Sequence, residues 1–153
     1  MNVLIAGIPV IGLVSLILQR DPNVRLWVAE SRPFEAEVSR EISNLQAKGI
    51  PTTVLTDNML SALLDYTDIN TIWSLYIRKM GEQVEAINGA LTAALLADAH
   101  GVPFGLFPVA RLPEMVAARF GNVTIGVDGA KYIDHAFDMV PLKLAAEVIM
   151  PGN

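Results

Sequence analysis

The sequence predicts an α/β fold in which a parallel β-sheet is covered by helices on both faces. Apolar, β-branched runs of strand length alternate with helical patterns along the chain. The connections between them are mostly short, which indicates parallel strands joined by right-handed crossovers. Hydrophobic residues make up 52% of the chain. Such a high share is typical of strands buried on both faces, together with a buried subunit interface.

The strands are predicted from short apolar runs bounded by turn residues. They occupy residues 2–6, 24–29, 51–56, 69–77 and 102–108, and residues 122–127 form a short strand or a bend.

The helices are predicted from apolar periodicity and from start and stop signals. An apolar helix follows a Gly/Pro turn and runs to about residue 19, and a second occupies 34–48 and ends at Gly49. Asp57 or Asn58 is placed to cap a third helix over 59–65. A long Ala/Leu-rich helix is predicted over 82–99, and a last helix over 141–148.

Composition narrows the class of protein. The 153 residues suit one domain, and no apolar run reaches the ~20 residues that a membrane span needs. The chain has no cysteine, and its net charge of −5 argues against nucleic-acid binding. His100 and His135 lie far apart without metal-ligand spacing. We therefore expect a cytoplasmic protein with no metal, no cofactor, no nucleic-acid partner and no membrane association.

In parallel α/β sheets, ligands bind at the carboxyl ends of the strands. The residues predicted at that rim are Gly7, Glu30, Ser31, Arg32, Thr56, Asp57, Asn58, Tyr76, Ile77, Arg78 and Pro108.

Four motifs at or near this rim carry a family resemblance. Residues 28–33 (VAESRP) resemble V-x-E-[ST]-R-P, and residues 49–59 (GIPTTVLTDNM) resemble G-I-P-x-T-x-I-x-D-N-M. Residues 94–104 (ALLADAHGVPF) are similar to A-x-L-A-x-x-H-x-[IV]-P-F, and residues 134–141 (DHAFDMVP) to N-P-x-F-D-x-T-P. In this order they resemble the family of methylthioribose-1-phosphate isomerase, ribose-1,5-bisphosphate isomerase and translation initiation factor 2B alpha, beta and delta subunits.

The resemblance implies one Rossmann-like domain over residues 1–153 that forms a homo-oligomer, in the simplest case a dimer. It covers only the C-terminal domain of the family, and the N-terminal helical domain with its R-G-A phosphate-binding motif has no counterpart in this sequence.

The positions that carry isomerase chemistry in the family differ here. The resemblance places the catalytic cysteine at Ala6 or Gly7, and the catalytic aspartate at Leu75 with its neighbouring arginine at Tyr76. Of the substrate-binding positions, the glutamine falls on Ala36 and the Asn-Lys pair on Glu85 and Ala86, unless Asn88 marks a small shift of the alignment. The candidate ligand-binding residues that remain are Glu30, Arg32, Asp57 and Asn58, and Asp57 is the best catalytic candidate.

Two functions stay open, besides a third, lesser possibility that the chain folds and dimerises without a present activity. The first is a catalytically inactive, oligomeric binding or regulatory module that takes a small phosphorylated ligand or pairs with another protein. The second is an aldose–ketose isomerase of phosphorylated sugars with a rearranged site, in which Asp57 acts with Arg32 or Lys131. Further ionisable candidates are Glu35, Tyr76, Asp128, Asp134 and His135, and the candidate phosphate-binding cations are Arg32, Arg78 and Lys79. Neither a phosphate loop nor a dinucleotide fingerprint nor a nucleophile elbow occurs.

Overall fold

The computed structural model describes residues 1–32, 34–109, 124–127, 130–133 and 137–151. The strands are β1 (Asn2–Ala6), β2 (Arg25–Ala29), β3 (Thr52–Leu55), β4 (Thr71–Met80), β5 (Gln83–Ile87), β6 (Phe104–Pro108), β7 (Thr124–Val127), β8 (Ala130–Ile133), β9 (Phe137–Pro141) and β10 (Glu147–Val148). The helices are α1 (Ile11–Arg20), α2 (Glu35–Ala47), α3 (Leu60–Tyr66) and α4 (Ala90–His100). Short 3-10 turns occupy Asp57–Met59 and Leu142–Leu144.

Eight of these strands form one sheet. Its main path runs β10-β6-β4-β1-β2-β3, and all neighbours along this path are parallel. Strand β5 pairs antiparallel with both β4 and β9, so the sheet is mixed rather than purely parallel. Strands β7 and β8 form a separate antiparallel pair.

Helices cover the two faces of the sheet, as predicted. On one face, α1 and α2 pack on a buried cluster that includes Val3, Ile5, Val28 and Trp73. On the other face, α3 and α4 pack on a second cluster that includes Leu4 and Ile72. The alternation of Val3 and Ile5 against Leu4 follows from the two-residue period of a strand. The α/β fold class is therefore confirmed.

The predicted helix over 82–99 is wrong in its first half. Strand β4 runs on to Met80, turns at Gly81 and returns as β5, and α4 begins only at Ala90. Gly81 has a φ of 64°, which glycine adopts without steric cost. Val84, Ala86 and Ile87 of β5 are fully buried in the two apolar clusters on the faces of the sheet, while β4 and β9 pair with both edges of β5. Strand pairing therefore overrides a composition that favours helix.

Other element predictions also need correction. The predicted last helix over 141–148 is a 3-10 turn at Leu142–Leu144 followed by strand β10. Because β4 extends to Met80, Tyr76 to Arg78 lie inside a strand and not at its end. The predicted strand over 122–127 is β7, and its first two residues lie outside the described residues. Across the described residues, no helix has the length and apolarity that a membrane crossing requires.

Candidate functional site

A crevice of about 350 Å³ opens where β1, β2 and β3 end, beside the N-terminal end of α4. This is the edge of the sheet at which α/β proteins bind ligands. Its described lining consists of Ala6, Ala29, Ser31, Arg32, Asp57, Asn58, Leu60, Asn88, Gly89 and Thr92. Three of the four predicted ligand-binding residues, Arg32, Asp57 and Asn58, thus lie together around one cavity.

Asp57 is held by the loop that follows β2. Its Oδ1 accepts a hydrogen bond from the Ser31 amide at 2.7 Å, and its Oδ2 accepts one from the Arg32 amide at 2.9 Å. Ser31 has a φ of 55°, in the left-handed region that non-glycine residues rarely adopt. The carboxylate therefore stabilises a strained turn between the ends of β2 and β3.

The predicted capping role of Asp57 or Asn58 is wrong. The residue before the 3-10 turn is Thr56, and neither this turn nor α3 has a side-chain cap hydrogen bond. The Thr56 hydroxyl donates instead to Asn58 Oδ1 at 2.6 Å. Asp57 is unavailable for capping because both of its oxygens bind the neighbouring loop.

Arg32 lies at the mouth of the crevice beside Glu30. The Arg32 Nε and Glu30 Oε2 are 3.8 Å apart, and the Arg32 side chain is 74% exposed. Glu30 does not line the crevice but, together with Glu35, lines a separate groove between α2 and β3. Of the predicted ligand-binding residues, Glu30 therefore lies outside the crevice, next to Arg32.

The opposite wall of the crevice is the beginning of α4. Gly89 precedes this helix with a φ of 92°, and its amide donates to Asp138 Oδ2 at 2.9 Å. The Leu91 amide donates to the same oxygen at 3.0 Å. Asp138, on β9, thus caps α4 from a distant strand. Asp138 is not among the residues predicted for the site, and the sequence signal for it is its place in the F-D-x-T-P part of the closing motif.

The positions that the resemblance aligns with the catalytic pair are apolar and packed. Ala6 is 4% exposed and lines the crevice, and Leu75 is fully buried. A Cβ built on Gly7 would clash with the Ile87 side chain and would lie 3.8 Å from Leu75 Cγ. The two aligned positions are therefore neighbours in space, and neither offers an ionisable group.

Tyr76 is a structural residue of β4. Its hydroxyl donates to the Ile149 carbonyl at 2.7 Å, and burial raises the pKa of this phenol above its ordinary value. It faces Pro108 across the β4–β6 pair, so these two predicted rim residues are neighbours, but neither lines the crevice.

Most of the other candidate residues lie elsewhere. Arg78 pairs with Glu85 at 2.7 Å in the β4–β5 hairpin, and Lys79 follows it in the same strand. His100 ends α4, 3.9 Å from Asp65. Arg78 and Lys79 are thus not crevice cations. Lys131 belongs to β8, and the last three candidates lie outside the described residues: Asp128, Asp134 and His135.

The described lining of the crevice contains few ionisable groups. Among the described residues that line it, the ionisable side chains are Arg32 and Asp57, and neither a thiol nor an imidazole is present. Within the same part of the chain, no group of three Asp, Glu or His side chains is arranged to hold a metal ion. The remaining polar groups are amides and hydroxyls, which orient a ligand by hydrogen bonds.

The fold and the crevice define an α/β domain that presents a small cavity where its parallel strands end. A family model described as the initiation factor 2 subunit family (IF-2B) matches residues 5–118, and the chain belongs to this family.

The relatives in this family include isomerases. The chain is 26% identical over 157 residues to methylthioribose-1-phosphate isomerase of Syntrophobacter fumaroxidans, covering 91% of this chain and 45% of the relative. It is 27% identical over 143 residues to methylthioribose-1-phosphate isomerase of Thermus thermophilus, covering 81% and 43%. The chain thus spans less than half the length of these curated relatives.

Solved structures agree on the fold. Subunit delta of translation initiation factor eIF-2B from A. fulgidus superposes with a TM-score of 0.76 at 20% identity, over 97% of this chain and 51% of that chain. For 5-methylthioribose 1-phosphate isomerase from Pyrococcus horikoshii OT3 the TM-score is 0.73 at 19% identity, over 97% and 49%. At these identities the comparison establishes the fold.

Proposed function

We propose that this chain is a catalytically inactive homologue of the sugar-phosphate isomerases of its family and acts as an oligomeric binding or regulatory module. The observation that carries this proposal is how the carboxylate of Asp57 is hydrogen-bonded. It is the one carboxylate in the described lining of the crevice, and both of its oxygens accept backbone hydrogen bonds.

Aldose–ketose isomerisation needs a base and an acid that move a proton between adjacent carbons. A carboxylate that holds a strained loop is poorly placed to leave it for a substrate proton. The apolar packing at Gly7 and Leu75 supports the same conclusion, since a cysteine side chain at Gly7 would meet Ile87.

The alternative is an isomerase with a rearranged site that uses Asp57 with Arg32 or Lys131. The test is an NMR assay in D₂O with phosphorylated pentoses, which detects both product and exchange of the substrate C–H proton. We expect neither turnover nor exchange. Turnover that disappears in Asp57→Asn but persists in the matched variant Asp68→Asn, in the exposed loop between α3 and β4, would overturn the proposal that the chain is catalytically inactive.

The surface of α4 supports the oligomeric part of the proposal. Its sheet-facing side consists of small buried residues, Ala90, Ala93, Ala94 and Ala97, whereas Leu95 is 52% exposed. A helix that is apolar on several sides is usually covered on more than one of them. We therefore propose that the outer side of α4 contacts a second copy.

Sedimentation at micromolar concentration tests this oligomer. We expect a dimer or larger species that dissociates in Leu95→Glu. The control is Ile11→Glu, because Ile11 is equally exposed, at 53%, but lies on α1 on the other side of the sheet. A monomeric parent chain would contradict the proposal.

A further inference from the structure

We infer that the crevice selects an uncharged, hydroxyl-bearing small molecule, of the size of a pentose or a nucleoside, over the phosphorylated form of the same molecule. This inference rests on the proposed function as a binding module and names the class of ligand. It departs from the phosphorylated ligand that the family resemblance implies.

The first argument is the charge around the cavity. In the described part of the chain, two carboxylates lie at the cavity. Asp57 lines it, and Asp138 is hydrogen-bonded to the backbone at the N-terminal end of α4. The one cation in the described lining is Arg32, which faces Glu30 at 3.8 Å and is largely exposed to solvent. Among the described residues, three carboxylates thus surround or oppose one guanidinium, and with these charges a phosphate dianion would meet net repulsion.

The second argument concerns the helix terminus, which is the usual substitute for a basic residue. A free helix N-terminus binds phosphate through its unpaired amides and the positive end of its dipole. At α4 the Gly89 and Leu91 amides already donate to Asp138 Oδ2. A phosphate would have to displace this carboxylate, and the charge of Asp138 would remain nearby.

The third argument is the set of hydrogen-bonding groups that stay available. Within the described residues, the side chains of Asn88 and Thr92 have no hydrogen-bond partner, and both line the crevice. Asn58 Oδ1 accepts the hydrogen bond from the Thr56 hydroxyl, and the NH₂ group of the Asn58 side chain remains available as a donor. Amides and a hydroxyl over an apolar floor of Ala6, Ala29 and Leu60 suit a neutral ligand with several hydroxyl groups.

The size of the cavity agrees with this class. At about 350 Å³ it lies at the lower end of the range for small-molecule pockets, which begins at ~300 Å³. A ligand with a single ring or a nucleoside is therefore a suitable probe.

The test compares matched pairs of ligands on the full chain: D-ribose with ribose 5-phosphate, and adenosine with adenosine 5′-monophosphate. Calorimetry measures the affinity. Changes in the amide chemical shifts of Asn58, Asn88 and Thr92 show whether the ligand binds in the crevice. We expect the neutral member of at least one pair to bind there about tenfold more tightly than its phosphorylated partner. Tighter binding of the phosphorylated members, or no binding of any probe at these residues, would overturn the inference.

Two charge variants test the cause. Asp138→Asn and Glu30→Gln each remove one carboxylate, at the helix terminus and beside Arg32 respectively. Each variant, once shown to be folded, should shift the affinity ratio toward the phosphorylated member by severalfold. The matched control is Asp68→Asn, which removes the same charge from the exposed loop between α3 and β4 and should leave the ratio unchanged. An equal shift in the control, or no shift in both crevice variants, would contradict the electrostatic explanation.

The outcomes separate this inference from the proposed function. If phosphorylated ligands bind more tightly and there is no turnover, the proposed ligand class is wrong, but the proposal of a catalytically inactive binding module is unaffected. Turnover in the isomerase assay overturns the inactive module, whichever ligand binds more tightly.

Discussion

The carboxylate of Asp57 holds Ser31 in a left-handed backbone conformation: the Ser31 amide lies 2.7 Å from Asp57 Oδ1, and the φ of Ser31 is 55°. Such a conformation costs roughly 1–2 kcal/mol for an L-residue, so it persists only where the surroundings determine it. The consequence is that Asp57 connects the ends of β2 and β3 and shapes one wall of the crevice.

Removal of this carboxylate should destabilise the protein. In Asp57→Ala we expect the free energy of unfolding to fall by about 2–3 kcal/mol, because two charge-assisted hydrogen bonds are lost. Urea denaturation measures the change. Asn58→Ala, in the same loop, should cost less than about 1 kcal/mol, since its hydrogen bond with Thr56 is exposed. Equal effects of the two variants would contradict the role assigned to Asp57.

A second change at the same loop tests the strain itself. In the Asp57→Ala background, Ser31→Gly should recover about 1 kcal/mol, because glycine adopts a positive φ freely. Urea denaturation again measures the free energy of unfolding. Further destabilisation by Ser31→Gly in that background would show that the strain is not what Asp57 supports.

The cap of α4 gives a prediction for Asp138. Asp138→Ala should lower the free energy of unfolding by about 1–2 kcal/mol, because the Gly89 and Leu91 amides lose their acceptor at the helix N-terminus. Denaturant unfolding followed by helical circular dichroism measures this. Asp68→Ala, in the exposed loop between α3 and β4, should change stability by less than about 0.5 kcal/mol. A similar loss in both variants would show that the cap contributes nothing specific.

The pair of Arg20 and Glu147 should make stability depend on acid pH. Arg20 donates two hydrogen bonds to Glu147, at 2.6 and 2.8 Å, and its guanidinium lies 5.3 Å from the centre of the Trp73 ring. The hydrogen bonds to Arg20 hold the pKa of Glu147 below its ordinary value of 4.5. The contribution of the pair is therefore complete above that value and is lost as the pH falls through the folded-state pKa.

Glu147→Gln should thus cost about 0.5–1 kcal/mol at neutral pH, a small value because both side chains are 41% exposed. The difference from the parent chain should shrink toward zero in acid, as measured by urea denaturation at several pH values. Glu41→Gln is the control, since Glu41 meets Arg40 through a single contact of 3.5 Å. A difference that is independent of pH would refute the assignment.

Close packing of Gly7 against Ile87 predicts a coupled pair of substitutions. Gly7→Ala should destabilise by about 2–3 kcal/mol, because its Cβ would clash with Ile87 Cδ1 and because the φ of 151° at Gly7 is one that L-residues rarely adopt. Ile87→Val removes that atom and alone should cost about 0.5–1.5 kcal/mol. The double variant should be more stable than the sum of the single changes by about 1 kcal/mol, which a double-mutant cycle measures. Strict additivity would show that the two residues do not compete for space.

Local patterns were enough for much of this protein. Runs such as residues 2–6 and the periodic helix that ends near Gly49 predict their own elements, because each buries its apolar side in a regular period. The motifs around Asp57 and Asn58 led to the family and to one wall of the crevice. This is possible because residues 49–59 form one continuous stretch, so the motif is recognisable in the sequence without information about distant contacts.

The tertiary structure decided what each of these residues does. The partners of Asp57 are 25 and 26 residues away in sequence, and Asp138 is 49 residues from Gly89. Strand β5 forms where the sequence favours a helix, because β4 and β9 supply hydrogen bonds on both of its edges. A sequence specifies the apolar face of an element locally. Which neighbour uses a free carboxylate or a strand edge depends on how the chain brings distant segments together.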